Sequence, residues 1–281
     1  MEKLNFENKN TNEKEPEIIL HFFRHSEKES NKDKTDEEVN LTPEGRKMAI
    51  EHASGETNIS QSVAFGSPKK RTRETALYHM LGSQEEVNGK DSFEDLKAKA
   101  NEGLHIGSKV GIDKNLDFPD IEVSQYKTMV YDAFKKGEYI PFLIHESDKL
   151  GVMFDSETET YSYKAAQIAK VIQKYIKISN RWDSLQKDET REYDEKLERF
   201  MGTHQGIQEC FLAKLLEIMD GVDEREKFIQ SLPPNGFDFN EGMEIRVIRD
   251  KSVSIEYNGK KYQISKLVPK ETIDQIADLV S

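Results

Sequence analysis

Cysteine is nearly absent from this 281-residue chain, which has only Cys210. That excludes an internal disulfide framework and zinc cages built from several thiolates, and it suits a reducing compartment. Long apolar runs are missing as well. No stretch approaches the ~18 apolar residues that cross a bilayer, and Met1 to Glu15 has no apolar leader core, so a cytoplasmic location without a membrane partner is expected. Positive charge is short: 41 Lys and Arg stand against 53 Asp and Glu, a formal charge of −12. Nucleic acid rewards clustered positive charge, so it is not an expected partner either. What the chain does have is core material, with 35% hydrophobic residues that include 14 Phe and 10 Tyr. At this length that supports one large domain or two small ones.

Residues 1–16 are polar, have little to bury and read as a flexible tail. Ile18 to Phe23 is short, β-prone and, His21 aside, apolar, as in a strand buried on both faces of a parallel sheet, and it ends in Arg24-His25. Thr42-Pro43-Glu44 then supplies an N-cap, a first-turn proline and a first-turn acid for a helix to about Ala53. Val63 to Gly66 reads as a second strand, and Ser67-Pro68 opens a helix to about Leu81. Helices are expected over 92–100, about 121–136 and 161–178, whereas the charged run 187–196 reads as a solvated helix face. Phe200 to Thr203 repeats the first strand and delivers His204 ahead of a helix carrying Ile207, Phe211 and Leu215. After Pro233, alternating Ile245, Val247, Val253, Ile255 and Tyr257 with Asn258-Gly259 read as an antiparallel hairpin, closed by a helix around Ile273. The expectation is a three-layer α/β/α fold with a mostly parallel central sheet and an antiparallel C-terminal edge. Residues 17–281 would form a single domain, with helical and loop insertions at about 82–160.

Ligands of open α/β sheets collect at the carboxyl ends of the strands. Three segments carry basic residues to that edge: Arg24-His25, Arg71 in the first turns of the second helix, and His204. Two guanidinium groups and two imidazoles suit an anion of about phosphate size. His21, His52, His79, His105 and His145 have no ligand spacing with carboxylates, so no metal site and no cofactor are expected.

These residues carry a family resemblance. Arg24-His25-Ser26-Glu27, with Asn31 six residues after the histidine, resembles the Arg-His-Gly-Glu signature of the histidine phosphatase superfamily, the phosphoglycerate mutase-like fold. Leu41-Thr42-Pro43-Glu44-Gly45, Ser67 to Ala76 and Gly202-Thr203-His204-Gln205-Gly206 are similar to its other three motifs, in the same order over residues 18–220. The resemblance implies that His25 attacks phosphorus and forms a phosphohistidine, while Arg24, Arg71 and His204 stabilise the equatorial oxygens. Asn31 and the backbone N–H of Gln205 would add donors, and Ser26, where the family has glycine, would place a side chain beside the phosphate.

The acid that protonates the leaving oxygen has two candidates, Asp117 and Glu146. Glu146 is slightly preferred, because the apolar run Ile140 to Ile144 could anchor it over the pocket. The expected activity is a metal-independent phosphomonoesterase acting on a small-molecule or protein phosphate. A phosphoglycerate mutase-type transferase and a degenerate phospho-ligand-binding protein are the alternatives.

Overall fold

The computed structural model describes residues 17–30, 33–53, 58–102, 107–118, 121, 124–154, 159–188, 190, 193, 195–248 and 251–280. The expected N-terminal tail and Asn31 lie outside the described residues. Seven strands form one sheet in the order β3-β2-β4-β1-β5-β6-β7. Strands β1 (Glu17–Arg24), β2 (Val63–Gly66), β3 (Val110–Ile112) and β4 (Lys196–Thr203) run parallel, while β5 (Gly242–Val247), β6 (Val253–Asn258) and β7 (Gln263–Val268) continue antiparallel from β1. The expected fold class is borne out.

Successive side chains of a strand face opposite sides of its sheet. Ile18, Leu20 and Phe22 of β1 therefore pack with Met201 of β4 on one side, and Phe23 packs with Phe200 on the other. Helices α5 (Tyr139–Phe154), α6 (Tyr161–Gln186), α7 (Ile207–Met219) and α9 (Lys270–Ala277) cover the first side. Helices α1 (Pro43–Glu51), α2 (Lys70–Leu81) and α3 (Phe93–Ala100) cover the second. Thr42 caps α1 through its side chain, and Ser92 with Asp95 forms a capping box on α3, as their sequence signals require.

The structure departs from the expectation in several places. Helix α6 runs on to Gln186 and β4 begins at Lys196, so the described residues of the charged stretch between them are not helical. The three-residue strand β3 falls in a segment read as an excursion; it is too short to carry a period of two. Helices α5 and α8 (Val222–Ser231) fall where no helix was marked out. Asn258 and Gln263 are paired across the hairpin, so its loop holds four residues rather than the two that Asn-Gly signals.

Candidate active site

Parallel pairing of β1 with β4 sets Arg24 opposite Thr203. The next residue on each strand is a histidine, so His25 and His204 leave the sheet side by side, with ring centroids 5.3 Å apart in an edge-on arrangement. Both are buried. Nδ1 of His25 lies 2.7 Å from the carbonyl oxygen of Ser26. A carbonyl only accepts, so Nδ1 carries the proton and Nε2 keeps the lone pair of the neutral ring.

The remaining motif residues hold this pair in place. Thr75, one turn beyond Arg71 on α2, accepts the Ser26 N–H at 3.1 Å and donates to the Arg71 carbonyl at 2.8 Å. Ser67 at the end of β2 pairs its hydroxyl with Nε2 of His204 at 2.9 Å. Thr42 caps α1 and also donates its hydroxyl to Glu27 at 2.7 Å. Gly45 sits against that same loop, where a Cβ would come within 2.2 Å of the Glu27 carbonyl oxygen. Gly202 plays the same part on β4: a Cβ there would lie 2.1 Å from the carbonyl oxygen of Thr72, so only glycine lets α2 come this close.

The side chain of Ser26 does not face the cavity. Its hydroxyl donates to the Gly45 carbonyl at 2.7 Å and accepts from Nδ2 of Asn240 at 3.1 Å, so the extra side chain fills the contact between α1 and the loop before β5. That loop holds Asn240 at φ +63°, in the left-handed region that asparagine tolerates, and Asn240 also meets Nε2 of His79 at 3.1 Å.

Arg24 lies under the ring of Phe239, with Cζ 4.4 Å from the ring centroid, and donates to the Phe237 carbonyl at 2.5 Å. Arg71, 2% exposed, has its fork occupied: NH1 and NH2 each reach an oxygen of the Asp36 carboxylate at 3.0 Å. Lys28 joins the same carboxylate at 3.2 Å. The acidic loop thus brings one negative charge onto the cation that the sequence pattern marks for an anion. Gln205 donates from Nε2 to the Asn235 carbonyl at 2.5 Å.

Arg24, His25, Arg71, His204 and Gln205 line one cavity of about 530 Å³, which Glu146, Asp117 and Ser26 do not line. Glu146 is exposed on α5, where Leu143, Ile144 and Ser147 are the buried positions and position 146 turns to solvent. Asp117, which follows a 3-10 turn (Lys114–Leu116), accepts from Lys69 at 2.6 Å and lies 3.3 Å from Nε2 of His204. The acid in the cavity wall is one unmarked by any motif: Glu159, buried and paired at 2.8 Å with the fully buried Lys164. Its only sequence signal is Lys164, a lysine among the mostly apolar buried positions of α6. Among the described residues no cluster of three His, Cys, Asp or Glu is gathered to hold a metal ion.

Burial pushes the pKa of His25 well below the usual histidine value, assisted by His204 and Arg71. His204 is pushed down to about 3 by burial, against the opposing pull of Asp117. Burial also takes His79 down to about 3. Asp117 is held below its usual value although burial opposes this, because the hydrogen bonds from His204 and Lys69 outweigh it. In the free site His25 and His204 are therefore neutral and Asp117 is ionised.

A stability effect follows. Below pH 6.5 the unfolded chain protonates these three histidines while the folded chain does not, so stability falls as pH falls. Each fully depressed histidine removes roughly 2 kcal/mol between pH 7 and 5. Urea titrations should give a clearly lower midpoint at pH 5 than at pH 7, and an unchanged midpoint would contradict the buried neutral state.

Residues 20–110 match the family model of the histidine phosphatase superfamily, branch 1. The resemblance read from the motifs is borne out. The match includes His25, the Thr42 to Gly45 turn and Arg71, and the pairing of β1 with β4 brings in His204 from beyond it. No curated protein matches the chain. Similar solved structures include a putative alpha-ribazole-5'-P phosphatase from Escherichia coli K-12 (14% identity, 90% of this chain and 97% of that one, TM-score 0.41). Others are a phosphoglycerate mutase from Bacillus anthracis (14%, 93% and 97%, 0.43) and a mycobacterial glucosyl-3-phosphoglycerate phosphatase (12%, 82% and 89%, 0.41). Among the described residues no helix is long and apolar enough to cross a membrane.

Proposed function

We propose that the protein is a phosphomonoester phosphatase in which Nε2 of His25 is the nucleophile. The observation that carries this reading is the His25 ring itself, neutral and fixed by the Ser26 carbonyl so that Nε2 holds its lone pair inside a cavity with two arginines. Nε2 attacks phosphorus in line, the P–O bond to the alcohol breaks, and a phosphohistidine forms. Arg24 and Arg71 hold the equatorial oxygens, the two charges of the phosphoryl group outweighing the single carboxylate of Asp36 on Arg71. The arriving dianion draws a proton onto His204, whose Nδ1, buried and without a partner among the described residues, then has an oxygen to donate to. Asp117, 3.3 Å from Nε2 of the now charged ring, takes the Nε2 proton and passes it to the departing alkoxide while Nδ1 keeps its own; in the second step Asp117 takes a proton from the water that cleaves the phosphohistidine and returns it to Nε2.

Turnover of p-nitrophenyl phosphate tests this, with isomerisation of 3-phosphoglycerate as the rival readout; phosphate release without isomerisation supports the hydrolase. Arg71→Ala should lower kcat/KM for hydrolysis by about 10²-fold, the loss associated with one preorganised donor to a developing charge. A loss below ~5-fold would assign Arg71 to holding the Asp36 loop alone.

A further inference from the structure

The cavity is chemically divided. Arg24, His25 and Arg71 lie at its phosphate end, whereas most of its remaining wall is apolar and aromatic: Phe118, Val130, Tyr131, Phe134, Tyr139 and Phe239. Helix α4 (Ser124–Lys136) supplies Val130, Tyr131 and Phe134, which with Lys127 follow the i, i+3, i+4, i+7 spacing of a single helix face. Tyr131 is 57% and Phe134 42% exposed, although a soluble surface ordinarily keeps such rings covered. The acid in the wall, Glu159, is neutralised by Lys164, and the rim cation Lys127 is exposed to water.

Resting on the phosphatase reading above, we infer that the substrate is a phosphate monoester of an apolar, ring-sized alcohol rather than of a small sugar acid. Its ring lies between the α4 face and Phe239, and its phosphate lies on Arg24 and His25. The carboxylate of a sugar acid would find only Lys28, already paired with Asp36, and the exposed Lys127, while its hydroxyls would lie against aromatic carbon and lose their water without replacement. Apolar rings instead exchange water for Phe118, Phe134 and Tyr139. Covering roughly 100 Å² of ring corresponds to about 10²-fold in affinity, of which an open-sided site retains about 10-fold.

Two non-hydrolysable probes separate this inference from the reading beneath it. Benzylphosphonate should bind at least ~10-fold more tightly than methylphosphonate by calorimetry, and Phe134→Ala or Tyr131→Ala, both at exposed positions, should shrink that ratio at least ~3-fold. Benzyl phosphate should also exceed 3-phosphoglycerate in kcat/KM for phosphate release. If the two phosphonates bind equally while p-nitrophenyl phosphate is hydrolysed, the apolar leaving-group site is wrong and the phosphatase stands. If benzylphosphonate binds more tightly but no ester is hydrolysed, the phosphatase reading fails and the apolar site stands. If neither phosphonate binds, both fall.

Discussion

Replacing His25 by alanine is expected to lower turnover of every phosphomonoester by at least ~10⁴-fold, because it removes the atom that forms the intermediate rather than a group that only steadies it. The ring makes one hydrogen bond to the protein frame, at Ser26, and the adjacent backbone is held by the His25 N–H to the Thr203 carbonyl and the Ser26 N–H to Thr75. The variant should therefore fold, which circular dichroism and retained phosphonate binding would establish. Residual turnover above ~1% in a folded variant would place the nucleophile elsewhere. The pH dependence carries the same information. An unperturbed histidine of pKa about 6.5 is roughly 97% protonated at pH 5 and cannot attack. Burial holds His25 well below that value in the free site, so kcat/KM, once corrected for the second ionisation of the substrate, should not fall with an apparent pKa near 6.5 as pH is lowered from 7 to 5. A limb centred there would mean that the ring is charged in the free site.

The parts of this site that could be read in the sequence are those fixed by backbone continuity. A strand apolar on both faces ends where Arg24-His25 begins, and β4 does the same for His204, so their meeting needs only that the two strands be parallel neighbours. Ser67 follows the end of β2, Gly45 lies in the first turn of α1 and Thr75 one turn after Arg71 on α2, where their roles as ties and close contacts follow from local geometry. Side-chain pairs made by long loops are not legible in this way. Nothing in the acidic run Asp33 to Glu38 singles out Asp36 as the partner of Arg71, since the choice depends on how a loop folds back over α2. Ser26 could not be aimed either: the residue that receives it, Asn240, is more than two hundred positions away. The apolar run Ile140 to Ile144 misled in a different way. It is the start of a helix whose inward face is Ile140, Leu143, Ile144 and Ser147, and the same periodicity that buries these sends Glu146 outward.

Within the phosphatase reading proposed above, that placement favours Asp117 over Glu146 as the acid. A leaving alkoxide needs a proton, whereas p-nitrophenolate departs without one, so losing the acid should affect the two substrate types unequally. Asp117→Asn should lower kcat for an alkyl phosphate by about 10³-fold and for p-nitrophenyl phosphate by less than ~10-fold, a difference in keeping with the usual contribution of general acid catalysis. Glu146→Gln, at an exposed position on α5, should be silent on both. The amide in Asp117→Asn can still meet Lys69 and His204 through its oxygen, so the substitution removes the ionisable proton with little change of shape. It also removes the carboxylate that opposes the burial of His204, which lowers the affinity of that ring for a proton and weakens its donation to the phosphoryl group. That second effect falls equally on both substrates and accounts for the small loss expected with p-nitrophenyl phosphate. Equal losses on the two substrates would assign Asp117 to tuning His204 alone. In that case the proton would have to come from the substrate monoanion itself, and kcat for the alkyl phosphate would rise as pH falls through about 6, the second ionisation of a phosphate monoester.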